Sequence, residues 1–135
     1  MRQYRTWYAA PLAFTLWACG GGNPLDPTAN QLQVGNAADN FQWQASSLSN
    51  VSQTVTYSWS NSGTMAKVDD SSTLSQGTAT LTIKDQSGTQ VYSQSLGTPA
   101  ADANTTAGTA GTWTIVVKLS GVTSSALNFR VQKTP

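Results

Sequence analysis

Apolar side chains recur at every second position in five separate stretches of the chain. The alternating sets are Phe41, Trp43 and Ala45; Val55, Tyr57 and Trp59; Ala79, Leu81 and Ile83; Trp113, Ile115, Val117 and Leu119; and Leu127, Phe129 and Val131. A period of two places each set on one face of a β-strand, with the polar neighbours, mostly Thr, Ser and Asn, on the other face. No stretch combines helical periodicity with capping residues. The pattern therefore predicts strands throughout.

Turn-forming residues separate these sets. They are Ser62-Gly63, Asp85 to Gly88, Gly108 to Gly111 and Ser120-Gly121. The sequence Asp85-Gln86-Ser87-Gly88 predicts a hairpin between Thr78–Lys84 and Thr89–Ser95, because Asp bonds its own following backbone and Gly adopts a positive φ. Seven to eight strands without intervening helices predict an all-β fold, an antiparallel β-sandwich of jelly-roll or Ig-like type.

Two runs rich in Ser, Thr and Ala predict loops, at Ala45 to Ser52 and Thr98 to Gly111. The stretch Val51–Ser60 alternates and carries no charge. If it forms an uncovered edge strand, it is able to pair with a neighbouring molecule and make the protein a fibre or oligomer subunit.

The first 18 residues have the organisation of an export signal. Arg2 and Arg5 form a charged start, and the mostly apolar stretch Thr6 to Ala18 follows, interrupted by Pro11. A membrane-spanning helix needs about 20 residues, whereas the apolar region of a signal peptide needs about 7–15. Residues 1–18 are therefore interpreted as a signal peptide that is cleaved from the mature protein.

The end of this segment, Leu16-Trp17-Ala18-Cys19, followed by Gly20-Gly21-Gly22, resembles the lipobox of bacterial lipoproteins. Leu16, Ala18 and Cys19 match the family's positions, and Trp17 is bulkier than the Ser, Thr or Ala usual at its place. The resemblance implies that cleavage precedes Cys19 and that its thiol carries a diacylglyceryl group. It implies a cell-envelope location, in the outer membrane or at the cell surface rather than in the inner membrane.

Residues 19–30 are interpreted as the lipidated Cys and a flexible tether, and residues 31–135 as the β-sandwich domain. A lone Cys beside glycines has no evident packing role, although a buried or free thiol is the alternative. The eleven residues after Cys19 reach at most about 36–40 Å when extended. From Cys19 onward the chain has five Lys and Arg against six Asp. Lipid rather than charge is then expected to hold it at a membrane.

A second pattern covers about Gly77 to Val131. The stretch Gly77-Thr-Ala-Thr-Leu-Thr-Ile-Lys-Asp85-Gln-Ser-Gly88 and the later Gly111-Thr-Trp-Thr-Ile-Val-Val117 are similar to strands of jelly-roll domains appended to secreted bacterial proteases, the pre-peptidase C-terminal and P-type domains. The resemblance implies a jelly-roll sandwich. Those domains commonly accompany a catalytic partner and some bind Ca²⁺, but this chain has no protease segment.

The composition excludes several classes of protein. The chain has no His and one Cys, so a Cys/His zinc site, an intrachain disulfide and an imidazole base are all excluded. A charged fraction of 10% and a net charge of +1 argue against nucleic-acid binding. Lys67 and Lys84 show no Ser-x-x-Lys spacing. We therefore expect no enzymatic activity and no cofactor.

A structural Ca²⁺ ion is the one cofactor that the acidic residues allow. Asp69-Asp70 is the only adjacent carboxylate pair, and its neighbours Ser71 and Ser72 favour a solvated loop. Neighbours on a strand point to opposite faces, so the pair cannot jointly flank one bond. The alternative is a weak Ca²⁺ site that a further loop completes, such as that of Asp39, Asp85 or Asp102.

The aromatic residues divide into two groups. Trp43, Tyr57, Trp59 and Trp113 share the phase of aliphatic neighbours, which predicts core positions. Tyr92 is out of phase with Val91, which predicts an exposed ring, either without a role or as part of a sugar-stacking or protein-binding face.

These observations leave two main functions open. One is a non-enzymatic, membrane-anchored envelope lipoprotein whose sandwich is a binding or structural module with a protein or polysaccharide partner. The other is a carbohydrate-binding or Ca²⁺-dependent adhesion module on the same anchor, with self-assembly through an edge strand as a further alternative. The sequence does not indicate an oligomeric state.

Overall fold

The computed structural model describes residues 22–97 and 102–134, and within them the regular structure is entirely β. The strands are β1 (Gln33–Ala37), β2 (Asn40–Asn61), β3 (Ala66–Asp70), β4 (Gln76–Lys84), β5 (Gln90–Ser95), β6 (Asp102–Asn104) and β7 (Gly111–Lys133). None of the described segments is a helix suited to crossing a membrane. The predicted signal peptide and the lipobox residues Leu16, Trp17, Ala18 and Cys19 lie outside the described residues.

All strand pairs are antiparallel, and the two long strands β2 and β7 form the centre of the sheet. They pair along nearly their whole length, from Asn40 opposite Gln132 to Asn61 opposite Gly111. β1 extends this pair beside β2, while β3 and β4 pair with different halves of β7. β6 and β5 then flank β3 and β4 as edge strands.

The long pair folds over on itself and so produces the two layers of a β-sandwich. The register of β2 against β7 shifts between Leu48 and Gln53, and Ser47 and Asn50 have positive φ angles of 55° and 50° there. Beyond this corner, the two ends of β2 face each other. The indole Nε1 of Trp43 donates a 3.0 Å hydrogen bond to the hydroxyl of Tyr57, 14 residues further along the same strand. The predicted antiparallel β-sandwich is confirmed.

We call the layer made of β1, β3, β6 and the adjoining halves of β2 and β7 the first layer. β4, β5 and the other halves of β2 and β7 form the second layer. Large rings fill the space between them. Trp43, Trp59 and Trp113 are each at most 1% exposed, as the alternation predicts. Phe129 stacks on Trp43 at 5.7 Å between ring centroids, and Trp59 meets Trp113 edge-on at 6.0 Å. Tyr57 is half-buried and packs against this core.

Two of the predicted interruptions are wrong. The run Ala45 to Ser52 is not a loop but the bent middle of β2, and Ser120-Gly121 lies inside β7 rather than between two strands. A residue with positive φ in a paired strand turns the strand without ending its ladder. The run Thr98 to Gly111, also predicted as a loop, contains the short strand β6. The hairpin at Asp85 to Gly88 is confirmed.

The segment predicted as a flexible tether is packed against the sandwich from Asn23 onward. The N–H of Asn23 donates to the carbonyl of Asn50, and its own carbonyl accepts from Ser52 at 2.8 Å. Leu25 is buried in the core, and Asn30 is 5% exposed with its amide Nδ2 on the carbonyl of Ser47 at 2.9 Å. Residues 23–30 therefore belong to the folded unit, which begins earlier than the predicted boundary at residue 31.

Gly77 is required where β4 crosses the bend of β7. Its φ is +80°, and a Cβ built on it would lie 2.3 Å from the carbonyl oxygen of Gly121. We expect Gly77→Ala to lower the free energy of unfolding by about 1–3 kcal/mol, because a left-handed Ala is strained and the overlapping atom is backbone. Urea unfolding measures this loss.

Gly88 provides the matched control for that prediction. Its φ of +87° is almost the same, but nothing lies within 4 Å of the position of its Cβ. Gly88→Ala therefore introduces only the cost of holding an Ala at a positive φ, without a steric overlap. It should lose less stability than Gly77→Ala. Equal losses for the two variants would show that the contact with Gly121 has no effect.

Candidate functional site

The predicted pair Asp69-Asp70 lies in strand β3, not in a solvated loop. The two side chains point to opposite faces, as the strand geometry requires. Asp69 pairs on its own face with Lys67, with 3.6 Å between carboxylate and ammonium. Asp70 is only 8% exposed. The two carboxylates therefore do not form a common site.

Both oxygens of Asp70 already accept hydrogen bonds from the backbone. Oδ1 accepts from the N–H of Ser72 at 3.0 Å, and Oδ2 accepts from the N–H of Gly97 at 2.8 Å. Such bonds satisfy a buried carboxylate and tie the end of β5 to the end of β3. Asp70 thus acts as a structural anchor.

Of the remaining candidates for a Ca²⁺ site, Asp39 and Asp85 lie at different turns. Asp102 lies in β6, opposite Asp69 in the backbone register. The structure describes only the backbone of Asp102. Asp39 holds the turn after β2, where its carboxylate accepts from the backbone N–H and the hydroxyl of Ser62. Within the described residues no three His, Cys, Asp or Glu side chains are grouped as metal ligands.

Asp85 organises the hairpin between β4 and β5. It is 5% exposed, and its carboxylate accepts hydrogen bonds from the N–H groups of Ser87, Thr89 and Thr109. The bond from Thr109 makes the largest contribution to lowering the pKa of Asp85 below its usual value, with the Ser87 hydroxyl next, against a rise from burial. The side chain joins the hairpin to the segment that leads into β7.

The lowered pKa of Asp85 predicts how stability depends on pH. Because the folded state binds this proton more weakly than the unfolded chain, the carboxylate contributes stability above its unfolded pKa of about 3.9, and this contribution is lost as pH falls through the lower folded value. The melting temperature of the wild type should therefore fall as the pH drops below about 4. In Asp85→Asn the decline should be shallower.

Asp39→Asn is a matched control, because hydrogen bonds from Ser62, the backbone one first, also lower the pKa of Asp39. Each variant should remove its own part of the acid dependence. A decline in Asp85→Asn identical to that of the wild type would show that the bonds to Asp85 do not stabilise the fold.

Tyr92 is half-buried rather than fully exposed, so the sequence expectation for it is wrong. Its ring packs partly against the core and lines a cleft of about 330 Å³ between β5 and the segment that begins at β6. Burial raises the pKa of Tyr92, and the negative charge of Asp70 raises it further. At neutral pH the side chain is therefore an uncharged phenol.

The cleft exists because the edges of the two layers separate there. β5 is the edge of the second layer and β6 is the edge of the first. They are joined where the N–H of Thr106 donates to the carbonyl of Val91 at 3.0 Å. Beyond this bond they diverge, and three amide side chains border the gap, namely Gln90, Gln94 and Asn104.

No sequence pattern singles out these amides. Gln and Asn are common along the chain, and neither a motif nor the alternation separates Gln90, Gln94 or Asn104 from other exposed amides. Their grouping depends on β5 and β6 approaching each other from different layers. Of the predicted site residues, only Tyr92 lies at this cleft with a described side chain.

The stretch Val51–Ser60, expected as an exposed edge strand, is an edge that other segments partly cover. Asn23 bonds the backbone at Ser52, the amide Nδ2 of Asn36 donates to the carbonyl of Ser58 at 2.8 Å, and the N–H of Asp39 donates to the carbonyl of Ser60 at 2.8 Å. These bonds leave only the middle of the stretch, Thr54–Tyr57, uncovered. Four residues are a short template for pairing with another strand.

Comparison of the sequence with protein-family models and with curated proteins found no match.

Proposed function

We propose that this protein is a lipid-anchored lipoprotein of the bacterial cell envelope, attached through Cys19, whose β-sandwich is a non-enzymatic binding module. The observation that carries the proposal is the sequence Leu16-Trp17-Ala18-Cys19 with its following glycines, placed directly before a folded domain. The outer membrane or the cell surface is the proposed location.

The packed segment at Asn23 gives this anchor a short reach. Three glycines separate Cys19 from Asn23, and the four steps between these two residues span at most about 13–14 Å. Asn23 bonds to Asn50 and Ser52, at the corner where β2 bends. On this proposal the corner faces the membrane, and the hairpin at Asp85 to Gly88, at the other end of β4, faces away from it.

The surface chemistry supports binding rather than catalysis. The described carboxylates of Asp39, Asp70 and Asp85 all accept backbone hydrogen bonds that fix turns and chain segments. The outward side chains of the second layer are mostly hydroxyls, among them Thr54, Thr56, Ser58, Ser60, Thr78 and Thr112, all exposed. Hydroxyls and amides recognise partners by hydrogen bonding without ionic attraction.

A Ca²⁺-dependent adhesion module is the weaker candidate, because Asp69 and Asp70 face opposite sides of β3. Self-assembly through the edge of β2 is weakened by the segments that cover it. A carbohydrate ligand keeps the support of one specific feature, the cleft beside Tyr92.

Membrane extraction tests the proposal. From Cys19 onward the charges are five Lys and Arg against six Asp, so ionic attraction to anionic lipid is not expected to retain the protein. Full-length protein made in a bacterium that matures lipoproteins should stay with the membranes in high salt and dissolve in detergent. Release by salt alone would contradict the proposed anchor.

A further inference from the structure

The cleft between β5 and β6 brings an aromatic ring and three amide side chains together. Its volume of about 330 Å³ falls at the lower end of the range of small-ligand sites, about 300–1,000 Å³. One wall is formed by β5 from Gln90 to Gln94, and the other by Ala103, Asn104 and Thr106. Among the described residues that line the cleft, only the phenol of Tyr92 ionises.

The amides at this cleft are available to a ligand. Gln90, Gln94 and Asn104 are exposed, and their side chains form no hydrogen bond with other described residues. Each amide provides both a donor and an acceptor, as the hydroxyl groups of a sugar also do. The three therefore suit a ligand rich in hydroxyls and free of charge.

Tyr92 adds an aromatic surface to the same cleft. The hydroxyl of the other half-buried tyrosine, Tyr57, is occupied by Trp43. That of Tyr92 has no partner among the described residues. An aromatic ring that is partly exposed to solvent is a common stacking surface for a pyranose, because the C–H groups of the sugar form an apolar face.

We propose that the cleft between β5 and β6 binds a neutral oligosaccharide, with a sugar ring against Tyr92 and its hydroxyls bonded by Gln90, Gln94 and Asn104. The inference rests on the proposed function, since it names the ligand of the proposed binding module. The cleft is shallow and open, so it suits a few sugar units of a chain.

An extended peptide added as a strand is the competing occupant. β-Strand addition depends on a long row of free backbone groups. β6 has only three residues, and Thr106 already occupies the carbonyl of Val91 on β5. An added strand could form only a short ladder of hydrogen bonds with β6. On β5 it would meet a backbone carbonyl that is already bonded. The side chains of the cleft favour the sugar.

Calorimetric titration of the full chain in detergent tests the inference. The probes are cellohexaose, chitohexaose and maltohexaose, with an alternating Thr-Val hexapeptide as the competing ligand. We expect saturable binding of at least one sugar, weakened about 10-fold by Tyr92→Ala and several-fold by Asn104→Ala or Gln94→Ala. Tyr92→Phe keeps the ring and should keep most of the affinity.

Gln33→Ala is the matched control for Gln94→Ala, because Gln33 is an exposed glutamine on the other edge strand of the first layer, β1. It should leave binding unchanged. Failure of all three sugars to bind, equal binding by every variant, or binding of the peptide alone would overturn the inference. None of these results would alter the membrane extraction experiment, so the two proposals fail separately.

Discussion

Replacing Trp113 by Ala is expected to lower the free energy of unfolding by about 3–5 kcal/mol, the usual cost of deleting a large buried aromatic. Trp113 is fully buried, lies edge-on to Trp59, and donates a 2.8 Å hydrogen bond from Nε1 to the carbonyl of Thr109. The variant loses the packing of the indole and one of the two hydrogen bonds to that carbonyl, which keeps only the 3.3 Å bond from the N–H of Gln86. Urea unfolding followed by circular dichroism measures the change.

Thr112→Ala is the neighbouring control, because Thr112 is exposed on the opposite face of β7. It should lose less than about 1 kcal/mol. Trp113→Phe, which keeps a ring but not the hydrogen bond, should fall between the two. A Trp113→Ala variant as stable as the wild type would mean that Trp113 is exposed, and the account of the core would then be wrong.

Replacing Cys19 by Ser is expected to move the protein from the membranes to the soluble fraction and to alter its processing. Each buried methylene of an acyl chain contributes about 0.8 kcal/mol, so two or three chains hold a protein at a bilayer essentially permanently. Without the thiol there is no attachment point, because Cys19 is the single Cys of the chain. Cell fractionation and labelling with palmitate provide the measurement.

Trp17→Ala is the control for this change. It replaces the bulky residue of the proposed lipobox by a small one and leaves Cys19 in place, so the variant should remain in the membranes and take up palmitate. A Cys19→Ser protein that still partitions wholly into membranes would show that another part of the chain attaches it.

The strands were predictable because each depends on its own sequence. Alternation alone predicts that Trp43, Trp59 and Trp113 are buried, and the turn residues Asp85 to Gly88 predict the hairpin. Both signals extend over only a few neighbouring residues. The corner was not predictable. It combines positive φ angles at Ser47 and Asn50 with a register shift against β7, a strand that is distant in the sequence.

The prediction of a flexible N-terminal tether was wrong for a similar reason. Leu25 is its one large apolar side chain, and composition indicates a tether. Its place in the core is set by distant bonds, such as that from the N–H of Leu25 to the side chain of Gln53 at 2.7 Å. Tyr92 was predicted on the correct strand but on the wrong face, because a register shift leaves Val91 unpaired and sets Tyr92 opposite the buried Ile83.

The central claim is that a lipid on Cys19 holds this sandwich at a membrane. Mass spectrometry of the mature N-terminal peptide, from protein extracted with detergent, tests it most directly. The account predicts a chain that begins at Cys19, carries a diacylglyceryl group on its sulfur and contains no residue from 1–18. An unmodified Cys19 thiol, or a mature chain that begins at another residue, would contradict it.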